Sequence, residues 1–411
     1  MPNKNHFISE WNVQLRSSQK KLADIMRTRV FQCLPAFYAK MEETDDKIFL
    51  EPLLFAYFAL LIPESISLEQ LLAGSIVNPG NSEHILVCSD DQGVIYLPSM
   101  GYLKTGIAHE LFTLIWDTDL QCYELKKDGL PAVFDFELPY CARRTGIELV
   151  SDSHLLVRPF LEAESKRKGN KNDKTRVPVF AGRAELVNHW KPLLEKALEL
   201  LGRIWPDYLE EVKSVVRKVV FFEEETLRSF APSRLHGCIF LNCREAKTEL
   251  AIIEALSICT SQLQFYLFTL ERERFFRVNS EALMVWETKS RNRHLSIYEG
   301  MEELVISNRQ TEVLEALYRS KYLDDDMRRE IIGRFAYNRY RHQAFFDKMN
   351  LQRLFTERGV YFYKEMIIQR AEIYASLEEV LADIQVQNQS QVFSLKLFNK
   401  LNAVPELIEN Y

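Results

Sequence analysis

The chain has 411 residues, of which 47% are hydrophobic and 27% charged, with a net charge of −6. These are the proportions of an ordinary soluble globular protein large enough for two or three packed units. The acidic balance supplies no overall basic field for nucleic acid, and the longest apolar run, Phe55 to Pro63, is too short to span a bilayer.

Aromatic residues are plentiful (26 Phe, 17 Tyr) and Gly is scarce at 14, which favours large cores built mainly from helices. Seven scattered cysteines form no CxxC pair, so they read as reduced thiols. The opening MPNKNHFISEWNVQ has no apolar signal region. A cytoplasmic protein with no membrane and no nucleic-acid partner is the expectation.

From Ser9 to Met41, Trp11, Val13, Leu15, Leu22, Ile25, Met26, Val30 and Leu34 recur at helical spacing, and Pro35 predicts a break. Leu50 to Leu61 reads as an apolar helix, and Ser67 opens another with Glu69 and Gln70 in its first turn. At His84 the pattern changes. HILVCSD and VIYLP are β-type runs separated by Asp90-Asp91-Gln92-Gly93, a loop suited to a hairpin. Ala132 to Phe136, Ile147 to Val150 and Leu155 to Phe160 are further strand candidates. Glu164 to Arg176, ESKRKGNKNDKTR, has no apolar side chain and reads as a solvated basic linker.

After it the chain is helical. Ala184 to Trp205 and Pro206 to Lys218 form a pair, with Pro206 near the start of the second helix. Val219 to Phe222 and Cys238 to Leu241 are short strand-like runs. Leu250 to Glu271 contains no Gly or Pro and only two charged residues, Glu254 and Glu271, so it reads as a helix buried on nearly all sides. Its Ser257, Thr260, Ser261, Gln262 and Gln264 then need partners inside the fold. Helices are also expected over Glu299–Tyr318, Asp324–Tyr337 and Leu377–Gln385. The fold class is α+β, predominantly helical with a small antiparallel sheet in the N-terminal half. The predicted division is 1–163, the basic linker 164–176, and a mainly helical domain 177–411.

Standard chemical motifs fail. There is no GxxxxGK[ST], GxGxxG, GxSxG or HExxH, and the eight histidines form no local metal-ligand pair. Arg291, Arg293 and His294 in SRNRHL could clamp a carboxylate by bidentate bonding, although a basic turn balanced by Glu299, Glu302 and Glu303 explains them more simply. Arg328, Arg329, Arg334, Arg339 and Arg341 read as a solvated helix face. His236 reads as an exposed turn before Gly237, and Cys259 as an inert thiol in an apolar setting.

The order of pieces then carries a resemblance. LEKALELLGRIWPDYLEEVKSVVRKVV, SRLHGCIFLN, the long helix, and an Arg-rich turn before another helix resemble the HExxH-domain family of peptide-modifying proteins. EPLLFAYFALL and GVIYLPSMGYLK are also similar to that family's pattern, so the likeness runs from about Leu50 to Leu317. Members with intact motifs are iron- and 2-oxoglutarate-dependent peptide β-hydroxylases of ribosomal natural-product pathways. The resemblance places the HExxH motif at Ile258–Gln262, where Ile258 and Gln262 stand for the histidines and Cys259 for the glutamate. A register shifted by five residues restores only the glutamate, as Glu254. A further family histidine, in a His-Gly step, falls at Glu299, and Arg291 or Arg293 matches the region that would hold the 2-oxoglutarate carboxylate.

Two histidines at i and i+4 chelate one metal from a single helix face, whereas Ile258 donates no electron pair and Gln262 is a weak neutral ligand. The resemblance therefore implies a non-catalytic relative with a degenerate metal site and no cofactor, binding a precursor peptide or a partner modifying enzyme. One alternative is an active hydroxylase that keeps Fe(II) and 2-oxoglutarate through His236, His294, Glu254 and Glu299. Another is a structural or regulatory protein unrelated to peptides.

Overall fold

The computed structural model describes residues 4–41, 45–76, 84–117, 122–150, 160, 183–223, 227–244, 247–286, 293–342, 351–389 and 392–402. The predicted strand at Leu155 to Phe160 (but for Phe160), the basic stretch 164–176 and Arg291 lie outside them. Two compact units form, one from Asn12–Glu195 with Val212–Arg244, the other from Met1–Trp11, Lys196–Glu211 and Glu245–Tyr411. Helix dominates over strand, 55% to 17%, and the fold is α+β.

The first unit carries most of the sheet structure. Helix α1 (Lys4–Cys33) begins in the other unit and ends one residue before the Leu34–Pro35 step, where proline opens a short new helix. Leu15, Leu22, Met26 and Val30 are buried along it, while Val13 and Ile25 face solvent. Helix α2 (Pro52–Phe58) has proline at its first position and Glu51 as N-cap, accepting from the Leu53 N–H at 3.3 Å. Helix α3 (Leu68–Leu72) is capped by Ser67, which accepts from the Gln70 N–H at 3.0 Å.

Strands β1 (His84–Cys88), β2 (Val94–Leu97), β3 (Gly101–Lys104), β4 (Leu111–Asp117), β5 (Cys122–Lys127), β6 (Leu130–Pro131) and β7 (Asp135–Glu137) build two antiparallel sheets, ordered β1-β4-β5-β6 and β2-β3-β7. Ile85, Val87, Phe112, Leu114 and Leu125 alternate inward and meet Ile95, Leu97 and Leu103 in one core. The predicted β1–β2 hairpin does not form, although both strands exist. Asp90 Oδ1 does turn the chain, accepting from Gln92 N at 2.8 Å and Val94 N at 2.9 Å. Beyond that turn the strands diverge: β1 pairs with β4 and β2 with β3. Gly93, at φ +75°, turns its carbonyl to the Thr105 N–H at 2.8 Å.

Strands β8 (Tyr140–Cys141) and β9 (Glu148–Val150) join a third sheet that is completed only later in the chain. Helices α4 (Arg183–Ile204) and α5 (Pro206–Val215) intervene, and then β10 (Lys218–Phe222) and β11 (Cys238–Asn242) complete the order β11-β10-β9-β8. Here β9, β10 and β11 run parallel, with Val220 opposite both Val150 and Phe240. Every residue of β10 and β11 is buried, as suits a covered parallel sheet.

The second unit is a helical bundle. Helix α6 (Glu249–Phe268), capped by Thr248, is the predicted long helix. It is the one described helix long and apolar enough to cross a membrane, with mean hydropathy 1.3, yet 78% of that window is buried by packing. Strands β12 (Leu283–Trp286) and β13 (Arg293–Ser296) form a hairpin leading into helix α7 (Ile297–Tyr318). Helices α8 (Asp325–His342) and α9 (Glu357–Ser376) follow. The expected helix at Leu377–Gln385 is only the turn Glu378–Leu381, whereas α9 was not anticipated.

Helices α6 and α7 run antiparallel. Phe265 and Tyr298 meet at one end with ring centroids 4.8 Å apart, and Gln310 reaches Glu254 at 3.3 Å near the other. Every residue of α7 from Leu304 to Leu314 is buried, so α7 is surrounded on all sides. Trp11, Phe268, Phe275 and Phe362 form an aromatic cluster at the α6 C-terminus, with Trp11 4.4 Å from Phe268.

Candidate functional site

The positions singled out in the sequence are dispersed through the bundle. Cys259 is fully buried on α6, while Ile258 and Gln262 are half-buried. Glu299 sits in the capping box of α7: its Oε2 accepts from Ser296 N at 2.7 Å and its N–H donates to Ser296 Oγ at 3.0 Å. With Phe265 opposite Tyr298, Glu299 stands level with the end of α6. Ile258 lies seven residues back along α6, about 10 Å at 1.5 Å per residue. His294 is exposed on β13, in register with Val285, and Arg293 is in register with Trp286.

Glu254, the glutamate of the shifted register, is bound by Arg334 and by Gln310 at 3.3 Å. His236 belongs to the sheet-bearing unit, not to the bundle. Among the described residues, no group of three or more His, Cys, Asp or Glu could hold a metal ion.

What the bundle does assemble is a buried belt on α7. Six consecutive polar residues, Ser307-Asn308-Arg309-Gln310-Thr311-Glu312, are all buried, and they reach four other helices. Arg309 binds Glu312 at 2.6 Å and also Glu211 on α5, with its guanidinium 5.0 Å from the Tyr208 ring and 5.6 Å from the Trp205 ring. Gln264 of α6 donates to the same Glu211 oxygen at 3.0 Å. Asn308 donates to Gln369 of α9 at 3.1 Å, and Gln369 in turn donates to Glu312. Ser307 and Thr311 meet Asn338 of α8, and Thr311 reaches Tyr374 at 3.4 Å.

A second node lies one helix away. Arg334 of α8 holds Glu330 through Nη2 at 2.6 Å and Nε at 2.9 Å, and also holds Glu254 of α6. Thr248, the N-cap of α6, donates to Glu330 at 2.9 Å. The expectation of a solvated arginine face on α8 therefore fails at Arg334, which is 5% exposed. Burial pulls both guanidinium groups down, but two carboxylates beside each hold Arg309 and Arg334 above the ordinary arginine value. Burial likewise pushes the Tyr208 phenol up, so it stays neutral.

The sheet-bearing unit has its own buried ionic group, which local sequence did not flag. Lys218, expected as the end of a helix, opens β10 instead. Its Nζ binds Glu148 of β9, Tyr96 Oη of β2 at 2.7 Å and the α2 cap Glu51 at 3.3 Å. Tyr96 Oη donates to the other Glu148 oxygen at 2.6 Å. Burial raises Glu51 and Tyr96, whereas Lys218 is held above the ordinary lysine value by Glu51 and Glu148 against its own burial. Single charges beside apolar runs, as in KVVFF, GIELV and EPLLF, were the available signal.

His236 is not the exposed turn expected from its neighbour Gly237. It is 2% exposed and packs edge-on against Phe55 with centroids 5.7 Å apart, while Gly237, at φ +90°, makes the turn. Burial, with Arg217 adding to it, pushes its imidazole down to about 3. A surface cavity of about 490 Å³ lies elsewhere in this unit, lined by Gln92, Val94, Lys104, Phe134 and Asp135 among others, and touches none of these ionic groups.

Both ionic groups are closed: carboxylates, guanidinium groups and the Lys218 ammonium are spent on one another. Such an arrangement ties the helices and strands that carry these charges to one another. No protein-family model and no curated protein matches the chain.

Proposed function

We propose that this chain acts by binding, not by metal-dependent chemistry. It is read as a non-catalytic relative of the HExxH-type peptide hydroxylases, engaging a precursor peptide or its modifying enzyme in the cytoplasm during peptide maturation. The observation that carries the catalytic half of this reading is the donor set on and around α6. Ile258 has no lone pair, Cys259 is fully buried, and the two carboxylates the resemblance brings forward are engaged, Glu254 with Arg334 and Glu299 with Ser296. These residues do not fit an iron ion, which needs two or three basic ligands converging on one point. The peptide half rests on the resemblance of the flanking segments.

The test uses the purified full chain. Metal content is measured first, and then a short peptide encoded beside its gene is titrated calorimetrically with and without a chelator. Saturable binding unaffected by the chelator is expected. Stoichiometric iron, with succinate formed from 2-oxoglutarate when the peptide is added, would establish the hydroxylase alternative; no binding at all would favour a structural role unrelated to peptides.

A further inference from the structure

Beside Cys259, the belt contains a set of polar atoms that the ion pairs do not use. Tyr208 Oη, Thr260 Oγ1, Gln264 Oε1 and Arg309 Nε are each buried and reach no hydrogen-bond partner among the described residues. Their residues are between 0% and 6% exposed. Three of these residues are linked in space, and the fourth shares a helix face with one of them. Arg309 lies 5.0 Å from the Tyr208 ring, and Arg309 and Gln264 share one oxygen of Glu211. Thr260 stands one helical turn before Gln264 on α6.

Four orphaned groups in the interior of one bundle are costly. Each unmade bond to a buried polar group forfeits a desolvation penalty that native interiors almost always recover. The inventory also selects what can satisfy them. Arg309 Nε–H can only donate, Gln264 Oε1 can only accept, and the Tyr208 and Thr260 hydroxyls can do either. A metal cation could not use the Arg309 donor and would face its charge, and an anion could not use the Gln264 oxygen. A neutral molecule that both donates and accepts, and is small enough for a packed core, meets all four requirements.

We infer that the space between α5, α6 and α7 is an internal hydration site, binding ordered water through Tyr208, Thr260, Gln264 and Arg309. One water makes about three hydrogen bonds, and one or two would satisfy this set. This inference stands apart from the peptide-binding reading, because it depends only on the bundle interior. It also gives the α6 segment at Ile258–Gln262 a definite environment, a wet polar seam on the Thr260 side.

The test has two parts. A crystal structure of the full chain at about 1.5 Å resolution is expected to show water within about 3.2 Å of at least three of the four atoms. Direct bonding of the four groups to one another, or an ion at metal–ligand distance, would overturn the inference. The second part reads a sign in solution. If Thr260 binds water, Thr260→Val lowers the thermal midpoint, by roughly 2 °C or more. If its hydroxyl is merely unpartnered, the isosteric apolar replacement raises the midpoint, and the hydration site is refuted. Tyr208→Phe follows the same logic, so failure of one variant to fold leaves the other to decide.

Discussion

Arg334 sits between two carboxylates, Glu254 on a neighbouring helix and Glu330 one turn away on its own. Removing it strands two buried negative charges, so Arg334→Met is expected to lower unfolding free energy by about 3–5 kcal/mol. Replacing the triad together, Glu254→Leu, Arg334→Met and Glu330→Leu, removes the uncompensated charges and should restore most of that loss. Urea denaturation of the single and triple variants measures both. A triple variant as unstable as the single one would show that the triad itself, not the stranded charge, stabilises the bundle.

His236 makes a pH prediction with a definite sign. The unfolded chain protonates it near 6.5 and the folded chain only near 3. Above pH 6.5 both states are neutral and this residue gives no slope. Between 6.5 and 3 only the unfolded chain takes up the proton, so stability falls as pH falls, by about 1.4 kcal/mol per unit. Glu51, whose folded value is raised by burial, acts in the opposite sense and loses stability as pH rises through its own window. The difference between wild type and His236→Gln isolates the histidine: from pH 6.5 to 5 the wild type should lose about 1.5–2 kcal/mol more stability than the variant. Equal slopes would mean that His236 is protonated inside the fold.

Neither Arg334 nor His236 is legible from its neighbours. DDMRREIIGRFAYNRYRH carries charge all around the helix, and the carboxylate that helps bury Arg334 lies 80 residues away. The reverse holds for residues whose role is local. Pro35, Ser67 and Pro206 mark helix ends that the structure keeps, because capping and the proline ring act within a few residues.

At the scale of elements, α6 reads correctly as a buried helix because it is apolar on every face. Its neighbour α7 is buried just as fully, yet it carries six successive polar residues, Ser307–Glu312, a run that ordinarily marks a solvent face. Burial there comes from partners on four other helices, which no periodicity reveals. Helix α9 is hidden in the sequence for a different reason: GVYFY, rich in aromatic and β-branched residues, has the composition of a strand.

Two helical glycines test how tightly these elements pack. Alanine is favoured over glycine by about 1 kcal/mol in a helix interior. At Gly333 a Cβ would meet the Phe393 ring at 2.7 Å, and at Gly359 it would meet the Phe275 carbonyl oxygen at 2.2 Å. A ring can turn aside, whereas a backbone carbonyl cannot. Gly359→Ala should therefore destabilise by about 2–3 kcal/mol and Gly333→Ala by less, despite the propensity gain. Thermal melts rank them, and a stabilised Gly359→Ala would show that α9 is free to shift away from Phe275.

At the scale of the whole chain, the two units are interleaved. The chain passes between them at Trp11–Asn12, Glu195–Lys196, Glu211–Val212 and Arg244–Glu245. The expected linear division at 164–176 rests on composition, and composition does not show which distant strands pair. The pairing has a testable consequence. A fragment 177–411 contains β10 and β11 but lacks β9, which pairs along Lys218–Val220. It also lacks Glu51, Tyr96 and Glu148, the partners of the buried Lys218 ammonium. A buried ammonium without them costs several kcal/mol, and the opened edge of β10 exposes an apolar strand to aggregation. The fragment alone is thus expected to aggregate or to unfold without a cooperative transition. Coexpressed with 1–163, it should recover one soluble complex, and in that complex Lys218→Met should cost far less when Glu51 and Glu148 are also made neutral. Cooperative, reversible unfolding of a monomeric 177–411 fragment would refute the claim that the parallel pairing and its ionic group hold the later strands in place.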